Sequence, residues 1–291
     1  MLIIRSLLST PGNQARMLEK APTYGADALM FDLEDSVPAD QKEVARALVR
    51  KQIETLGDAA PVYVRVNGPA TGLQEGDLHA VVSSGLHGIV VPKSESADAV
   101  RQTDALLTHL ESRAGIAPGR IEIALALESA AGIWFAYELL SASPRARTVM
   151  LGSAEGGDLQ TDLHASWSGT GLELLYARSR VVTAARALRI ENILDGAYSN
   201  AKDIAGFVAD SEMSRRLGYR GRMVIHPGQV AEANRVFAPT DQEIAFSERV
   251  VAAFESAEAT ERGAMAVDGV MVDQAMLKRA RTLLAEARRG E

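Results

Sequence analysis

An α/β fold built on a closed barrel of eight parallel strands, with a helical extension at the C-terminus, is the architecture that the sequence predicts. Eight short aliphatic or β-branched runs alternate with eight stretches whose apolar residues recur at three- and four-residue spacing, so each strand is followed by a helix. An open, doubly wound sheet usually has fewer strands and no reason to stop at eight. The pattern therefore favours the closed (β/α)8 arrangement, the TIM barrel.

The predicted elements follow one another in regular alternation. We predict strands at residues 3–8, 28–31, 62–66, 88–91, 121–127, 148–151, 192–194 and 222–225. We predict helices at residues 14–24, 41–56, 74–83, 97–114, 129–140, 172–188, 203–217 and 228–236. Polar residues separate each aliphatic run from the amphipathic stretch that follows it, and the first three units fit the barrel least ambiguously.

The last part of the chain is surplus to an eight-unit barrel. Pro239 breaks the chain, and Thr240 or Asp241 can cap a long helix through about residue 261. A glycine-flanked segment, residues 263–271, and a final helix from Asp273 follow. Since no linker-like segment intervenes, we expect a catalytic barrel domain over residues 1–237 and a helical extension over residues 238–291. This extension is expected to pack on the barrel or on a neighbouring subunit.

Composition excludes several classes of function. The 291 residues are 47% apolar and 24% charged, which is typical of a globular protein, and they include no cysteine, so disulfides and thiolate chemistry are excluded. The net charge is −7 and the basic residues are scattered, so no nucleic-acid partner is expected. The apolar run at residues 2–8 is interrupted by Arg5 and is too short for a membrane span. It also lacks the features of a signal peptide, so we expect a cytoplasmic protein without a membrane partner.

Two carboxylates at neighbouring strand ends predict a metal site. Glu128 ends a buried apolar run and would lie at the barrel mouth, where an unpaired carboxylate is costly, so a ligand role is favoured over a structural one. Asp158 follows a glycine-containing loop that can bring its carboxylate back over the barrel. Together they offer two hard oxygen ligands, an arrangement usual for Mg²⁺, which takes its other ligands from water and substrate.

Cationic residues also follow the predicted strands. Arg65 is interpreted as a bidentate fork for a substrate carboxylate, with a buried ion pair to Glu34 or Asp35 as the alternative. Lys93 could form a Schiff base, although pairing with the acidic cluster is favoured. For His226, which precedes a proline, a structural role is favoured over that of a base.

Ten short motifs occur in order along nearly the whole chain. They are SLLSTPGN (6–13), DLEDSV (32–37), KEVAR (42–46), VRVN (64–67), VPK (91–93), LES (127–129), GDL (157–159), IHPGQ (225–229), FAPT (237–240) and GVMVD (269–273). No single motif is specific, but their combination resembles the citrate lyase β-subunit-like (HpcH/HpaI aldolase/citrate lyase) family of CoA-ester lyases.

The resemblance implies a Mg²⁺-dependent carbon–carbon lyase. Its substrate would be a 3-hydroxyacyl thioester such as malyl-, citramalyl- or β-methylmalyl-CoA, which is cleaved into an acyl-CoA and a 2-oxo acid or formed from them. By the family pattern, Glu128 and Asp158 hold the metal, and Arg65 binds the substrate carboxylate. Glu34 and Asp35 form an acidic pair that supports the metal waters and Arg65.

The resemblance also assigns roles outside the metal site. Asn13, Arg16 and Lys42 belong to the region that receives the CoA phosphates. Asp273 matches the family position that acts as a base across a subunit boundary. A further carboxylate is needed for that task, because metal ions and Arg65 lower the pKa values of the barrel-mouth carboxylates and make them poor bases. Asp273 could also simply cap the final helix. Because a base supplied across a subunit boundary requires an oligomer, the resemblance implies a homotrimer or hexamer with shared active sites.

The chain departs from the family pattern near Asp158. Many relatives have a shorter turn before this aspartate, whereas residues 153–157 precede it here, and His164 follows Leu163. Glu155 is therefore a rival metal ligand, and the substrate stays open. Three alternatives remain: a subunit of a citrate lyase-type complex that acts on an acyl-carrier-protein thioester, a thioesterase of the malyl-CoA type, and a class I aldolase that uses Lys93.

Overall fold

Eight parallel strands close into a barrel in the order of the chain. The computed structural model describes residues 2–256 and 264–288. Each strand pairs with the next one along the chain, and the eighth pairs with the first. The strands are β1 (Ser6–Pro11), β2 (Ala28–Asp32), β3 (Val62–Arg65), β4 (Leu86–Val91), β5 (Glu122–Leu127), β6 (Ala146–Leu151), β7 (Asn192–Asp195) and β8 (Gly221–Val224). The predicted TIM barrel is thereby confirmed.

Helices follow the strands on the outside of the barrel. They are α1 (Ala15–Lys20), α2 (Lys42–Leu56), α3 (Gln74–Val81), α4 (Ala97–Arg113), α5 (Ala130–Trp134), α6 (Ala136–Ser141), α7 (Asp158–Asp162), α8 (Leu175–Ala187), α9 (Ile204–Leu217) and α10 (Val230–Phe237). The predicted helix over residues 129–140 is divided at Phe135 into α5 and α6. α7 is not among the predicted helices, because a helix of five residues shows no periodicity.

β1 begins three residues later than predicted. The sequence places it at residues 3–8, where the apolar run lies, but pairing with β2 starts at Leu7 opposite Ala28 and continues to Pro11 opposite Asp32. Arg5 instead binds Asp27 through its main-chain and side-chain nitrogens. A strand begins where its hydrogen-bonding partner begins, and the partner is not visible in the local sequence.

The barrel has an apolar interior that is separate from the larger core between its strands and its helices. The interior cluster consists of Ile4, Leu7, Ala28, Met30, Tyr63, Val90, Ala124, Ala126, Met150 and Leu194. Because side chains alternate along a strand, Tyr63 and Arg65 of β3 project to the same side, and Arg65 lies one layer nearer the C-terminal mouth. The interior therefore changes from apolar to charged toward that mouth.

The chain divides into two compact units, Met1–Phe237 and Ala238–Glu291. The second unit contains α11 (Asp241–Glu255), β9 (Ala264–Val267), β10 (Val270–Asp273) and α12 (Gln274–Ala287). Thr240 caps α11 in a reciprocal pair with Glu243. The end of the predicted long helix, at about residue 261, lies outside the described residues. Where the sequence predicts only a glycine-flanked segment, β9 and β10 form an antiparallel hairpin.

The second unit has a small core of its own, formed by Val250, Phe254, Val267, Val272, Leu277 and Ala280. Across residues 2–256 and 264–288, no helix is long and apolar enough to cross a membrane.

The first prediction concerns the contact between Tyr63 and Gly88 inside the barrel. A Cβ atom added at Gly88 would lie 2.5 Å from Cε1 of Tyr63, which is fully buried and donates a hydrogen bond of 2.9 Å to Glu122. We expect Gly88→Ala to lower the free energy of unfolding by about 1–3 kcal/mol through overpacking. Urea unfolding measures this change.

Gly68→Ala is the matched control, because the nearest atom to an added Cβ there is 3.8 Å away, an ordinary contact. Equal stability of the two variants would contradict the close packing of Tyr63 against β4.

Candidate active site

A buried ion pair between Asp32 and Arg65 lies at the C-terminal mouth of the barrel. The two residues are direct partners in the pairing of β2 with β3. Nε and Nη2 of Arg65 donate to the two carboxylate oxygens of Asp32, each at 2.7 Å. Burial would raise the pKa of Asp32, but the bonds and charge of Arg65 outweigh it and hold that pKa below its usual range. Both groups are therefore charged.

The main partner of Arg65 differs from the pairs considered in the sequence analysis. Glu34 contributes a second ion pair, with Oε2 at 3.4 Å from Nε of Arg65, whereas Asp32 takes the bidentate position. The alternation along β2 was the signal that could have identified Asp32, since it shares the interior side with Met30. Because Asp32 occupies the Nε–Nη2 edge of the guanidinium, an incoming carboxylate must approach the Nη1–Nη2 edge.

Lys93 connects the acidic residues of the mouth. Its ammonium lies 2.9 Å from Oε1 of Glu34, 3.3 Å from Asp35 and 3.6 Å from Asp158. Partial burial would lower its pKa, but the bond to Glu34 and the surrounding carboxylates raise that pKa instead. A firmly protonated amine is a poor nucleophile, so this environment favours the pairing predicted for Lys93 over a Schiff base.

The main chain at Lys93 also contributes to the site. Lys93 has a φ of 49°, a left-handed conformation that is uncommon for a residue with a side chain. Its N–H donates a hydrogen bond of 2.7 Å to Oε1 of Glu128. The left-handed backbone thus directs the amide at Glu128 and the ammonium at the other carboxylates.

Glu128 follows β5 directly and is half-buried at the mouth of the barrel. Burial, together with the charges of Glu34 and Asp158, raises the pKa of Glu128 to about 7, although the N–H of Lys93 and the charge of Arg65 oppose this shift. Gly152, at the end of β6, packs directly against it: an added Cβ would lie only 2.3 Å from Cβ of Glu128. Only glycine allows the two strand ends to approach so closely.

The donor set suits a hard divalent cation. Glu128 and Asp158 offer carboxylate oxygens, and Oε2 of Glu34 is buried without a hydrogen-bond partner in the described part of the chain. Within residues 2–256 and 264–288, no group of three His, Cys, Asp or Glu side chains forms a complete metal site. Mg²⁺ is usually bound by one or two carboxylates, with water and substrate at its other coordination positions, so the residues fit this ion. A cation would also lower the cost of burying Glu128 as an anion.

Asp158 and Glu155 occupy different environments. Asp158 is the first residue of α7 and reaches Lys93. Glu155 is exposed, and its carbonyl oxygen accepts a hydrogen bond of 3.2 Å from Oγ of Ser199. The geometry therefore favours Asp158 as the second metal ligand.

Lys42 is part of a buried scaffold beneath the acidic cluster. Its ammonium donates to the carbonyl oxygens of Leu33 and Glu34, at 2.6 and 2.8 Å, and to Oδ1 of Asn67 at 2.9 Å. The main-chain and side-chain nitrogens of Asn67 both donate to Asp77, at 2.7 Å. Lys42 therefore fixes the main chain at Glu34, and a direct role of Lys42 toward CoA phosphates stays a prediction.

The turn after β1 carries the other residues predicted to bind CoA. Gly12 donates a main-chain hydrogen bond of 2.8 Å to Asp32. Asn13 donates to Gln41 at 2.5 Å, while its Oδ1 is buried without a hydrogen-bond partner among the described residues. Arg16 is exposed at the start of α1. The turn lies at the same end of the barrel as the acidic cluster, because it follows a strand.

Asp273 and His226 both act as helix caps. The carboxylate of Asp273 accepts a hydrogen bond of 2.9 Å from the main chain of Met276, at the start of α12. Asp273 is exposed and belongs to the second compact unit. Nδ1 of His226 accepts a bond of 3.1 Å from Gly228, in line with a structural role. Capping leaves the function of Asp273 as a base a prediction.

Two buried aspartates that support the site were not predicted from the sequence. Asp77 and Asp195 are fully buried, and each binds residues far away in sequence. Asp77 lies within the predicted helix over residues 74–83, and Asp195 directly follows a predicted strand. A single buried acid in a helix or at a strand end gives no local signal of its partners.

Comparisons with known proteins agree with this architecture. Residues 5–227 match the family model for HpcH/HpaI aldolase/citrate lyase. Citrate lyase subunit beta of Leuconostoc mesenteroides subsp. cremoris is 36% identical over 281 residues, which cover 96% of this chain and 92% of the relative. A (3S)-malyl-CoA thioesterase of Cereibacter sphaeroides is 37% identical over 290 residues, which cover 97% of this chain and 94% of the relative.

A solved structure resembles the whole chain. The crystal structure of protein CitE from Mycobacterium tuberculosis, in complex with magnesium, acetoacetate and coenzyme A, has a TM-score of 0.77 and 28% sequence identity, and 98% of each chain is covered. The family predicted from the ten motifs is therefore confirmed: the chain belongs to the HpcH/HpaI aldolase/citrate lyase family and is an enzyme of the lyase class.

Proposed function

We propose that this enzyme is a Mg²⁺-dependent carbon–carbon lyase acting on a 3-hydroxyacyl-CoA. Malyl-, citramalyl- and β-methylmalyl-CoA are the candidate substrates, and the products are an acyl-CoA and a 2-oxo acid, or the reverse. The observation that carries the proposal is the meeting of Arg65, Glu128 and Asp158 at one end of the barrel, with Lys93 in contact with both carboxylates. The solved relative in complex with magnesium, acetoacetate and coenzyme A supports it.

Glu128 and Asp158 are the proposed ligands of the metal. When bound, Mg²⁺ supplies Lewis-acid stabilisation of negative charge that develops on substrate oxygens. Glu34 and Asp35 are proposed to hold water molecules at this site, since Lys93 keeps their carboxylates together.

Arg65 is proposed to bind the carboxylate of the 2-oxo acid portion. Its charge is fixed by Asp32, and its position is fixed by the same two bonds, so it need not reorganise when substrate arrives. Cleavage leaves an enolate on the thioester and a carbonyl on the oxo acid, and Arg65 orients the second fragment. Asn13 and Arg16, near the turn after β1, are proposed to bind the CoA phosphates together with Lys42.

Asp273 is proposed as the base of the condensing direction, supplied by a neighbouring subunit. It would take a proton from the acyl-CoA carbon next to the thioester. The proposal implies a homotrimer or hexamer in which each site needs two chains. The cytoplasmic location stays a prediction from the sequence.

Two other outcomes have support from relatives. The 37% identity to a (3S)-malyl-CoA thioesterase favours hydrolysis of the thioester as a second candidate. The 36% identity to a citrate lyase subunit beta favours a subunit that acts on a carrier-bound substrate. Glyoxylate, pyruvate and oxaloacetate should be tested against acetyl- and propionyl-CoA with Mg²⁺. In this assay, formation of a 3-hydroxyacyl-CoA supports the lyase, and activity only with acyl-carrier-protein thioesters in place of CoA thioesters supports the subunit. When a 3-hydroxyacyl-CoA is supplied as the substrate instead, release of free CoA without a 2-oxo acid supports the thioesterase.

The second prediction concerns Glu128. The variant Glu128→Gln keeps the shape of the side chain and an oxygen that can accept from Lys93, but loses the negative charge. Changes around metal ligands cost about 10–100-fold in affinity, so we expect loss of a ligand to weaken Mg²⁺ binding at least about 10-fold. Isothermal titration calorimetry measures the affinity.

Glu122→Gln is the control for this variant, since Glu122 lies at the other end of β5 and binds Tyr63. Wild-type Mg²⁺ affinity in Glu128→Gln would remove Glu128 from the metal site.

The third prediction concerns the fork of Arg65. Arg65→Lys keeps the charge but cannot form the bidentate pair, so we expect kcat/KM to fall by an amount equivalent to about 2–4 kcal/mol, with weaker binding of the oxo acid. Steady-state kinetics and calorimetric titration with the oxo acid measure the two effects. Arg147→Lys, at the opposite end of the barrel, should change neither. A fully active Arg65→Lys would mean that the arginine serves only the ion pair.

The fourth prediction separates the two roles of Asp273. Asn caps helices as well as Asp does, so Asp273→Asn should preserve α12 but abolish the condensation. Mixing this variant with Glu128→Gln under conditions of subunit exchange, at a Mg²⁺ concentration at which Glu128→Gln alone is inactive, should restore part of the activity, because some sites then contain both intact residues. No recovery after proven exchange would mean that Asp273 acts within its own chain or not at all.

A further inference from the structure

The loop between β6 and α7 connects the two proposed metal ligands. At its start, Gly152 packs against Glu128, and at its end Asp158 opens α7. The side chain of Asp158 is half exposed and reaches Lys93 only at 3.6 Å. Its position is therefore set mainly by the backbone of the loop, so whatever anchors the loop also places the carboxylate.

Ser153 is the buried anchor of this loop. It is 1% exposed, and its Oγ donates a hydrogen bond of 2.7 Å to Oδ1 of Asp195, at the end of β7. The main-chain N–H of Gly196 donates back to the same Oγ at 3.0 Å. A Cβ added at Gly196 would lie 2.5 Å from the nitrogen of Ser153, so the ends of β6 and β7 are in direct backbone contact. The serine hydroxyl is thus both a donor and an acceptor in this contact.

Asp195 is a rigid acceptor. It is fully buried and lies 3.0 Å from Nη2 of Arg178, which is also fully buried. Ser214 of α9 donates to its other oxygen, Oδ2. The charge of Arg178 and these hydroxyl bonds outweigh burial and keep the pKa of Asp195 low, so the acceptor is a permanent anion. Hydrogen bonds to a charged group of this kind are the stronger class.

The loop has a weaker second attachment, and α7 has one at its far end. Ser199, in the segment after β7, donates to the carbonyl oxygen of Glu155 at 3.2 Å on the surface. Asp162, the last residue of α7, accepts a bond of 2.7 Å from the N–H of Ala130. Asp158 therefore lies between attachments on both sides in the chain, at Ser153 and Glu155 before it and at Asp162 after it. Ser153 is the buried attachment.

We propose that Ser153 and Asp195 are positioning residues that hold the β6–α7 loop so that Asp158 stays within reach of the metal shared with Glu128. This inference rests on the proposed metal site. Neither residue touches metal or substrate; both act through the loop backbone. Outer contacts of this kind commonly change metal affinity by about 10–100-fold.

The test compares two serines that donate to the same carboxylate. Ser153→Ala removes the bond from the loop to Asp195, whereas Ser214→Ala removes the bond from α9 to the other oxygen. Each variant removes one hydroxyl hydrogen bond to the buried carboxylate of Asp195, so we expect similar losses of thermal stability. Only Ser153→Ala should weaken binding of Mn²⁺, used as a spectroscopic probe for the divalent site, by about 10-fold. Electron paramagnetic resonance of free Mn²⁺ in titrations of the full-length proteins measures this without turnover.

Two further variants complete the experiment. Ser199→Ala loosens the same loop from the surface and should weaken Mn²⁺ binding in the same direction but by less, which keeps the test usable if Ser153→Ala fails to fold. Asp158→Asn is the reference for loss of the ligand itself.

The outcomes separate the inference from the proposed function. Weak binding in Asp158→Asn with normal binding in both Ser153→Ala and Ser199→Ala would overturn the positioning role and leave the metal site standing. Equal weakening in Ser153→Ala and Ser214→Ala would also overturn it, since the effect would then follow stability alone. Normal binding in Asp158→Asn would overturn the metal site and the inference with it.

Discussion

Concentration of negative charge at the barrel mouth is the constraint on which the rest of the site depends. Five carboxyl groups lie there, those of Asp32, Glu34, Asp35, Glu128 and Asp158. The described ion pairs join four of them to the side chains of Arg65 and Lys93. The fifth, Glu128, accepts a hydrogen bond from the main-chain N–H of Lys93. Burial makes this imbalance costly, which is visible in the raised pKa of Glu128, about 7. The two cations stabilise the cluster without neutralising it. A site built this way favours an additional divalent cation and an anionic substrate that brings its own charge to Arg65.

The backbone that carries these charges is held from two sides by buried aspartates. On the side of β2 and β3, Asp77 holds Asn67, and Asn67 with Lys42 fixes the main chain near Glu34. On the side of β6 and β7, Asp195 holds Ser153. Strand exits of a barrel have no sheet hydrogen bonds beyond their last paired residue, so their loops need other partners. Buried carboxylates provide these partners, because hydrogen bonds to a charged acceptor are stronger than those to a neutral one.

The C-terminal unit has an apolar core of its own. It is stabilised by a small apolar cluster between α11, α12 and the hairpin, and its helices begin at capped residues, Thr240 and Asp273. Its turn places Asp268 and Gly269 at positive φ, which Gly and Asp tolerate better than most residues. The sequence predicted the two helices from their caps. It did not predict the hairpin, because two four-residue strands give little alternation of apolar and polar residues to detect.

Local sequence determined the element order, the eightfold alternation and the family, since aliphatic runs, helix periodicity and caps depend on neighbouring residues. It also indicated Arg65, Glu128 and Asp158 as site residues, because polar residues that directly follow apolar strands can be recognised in the linear sequence. Only the tertiary structure decided the pairings: Asp32 rather than Glu34 or Asp35 opposite Arg65, Lys42 beneath Glu34, and Ser153 on Asp195. Those choices depend on the register between strands distant in sequence, and on the closure of the barrel that brings their ends together.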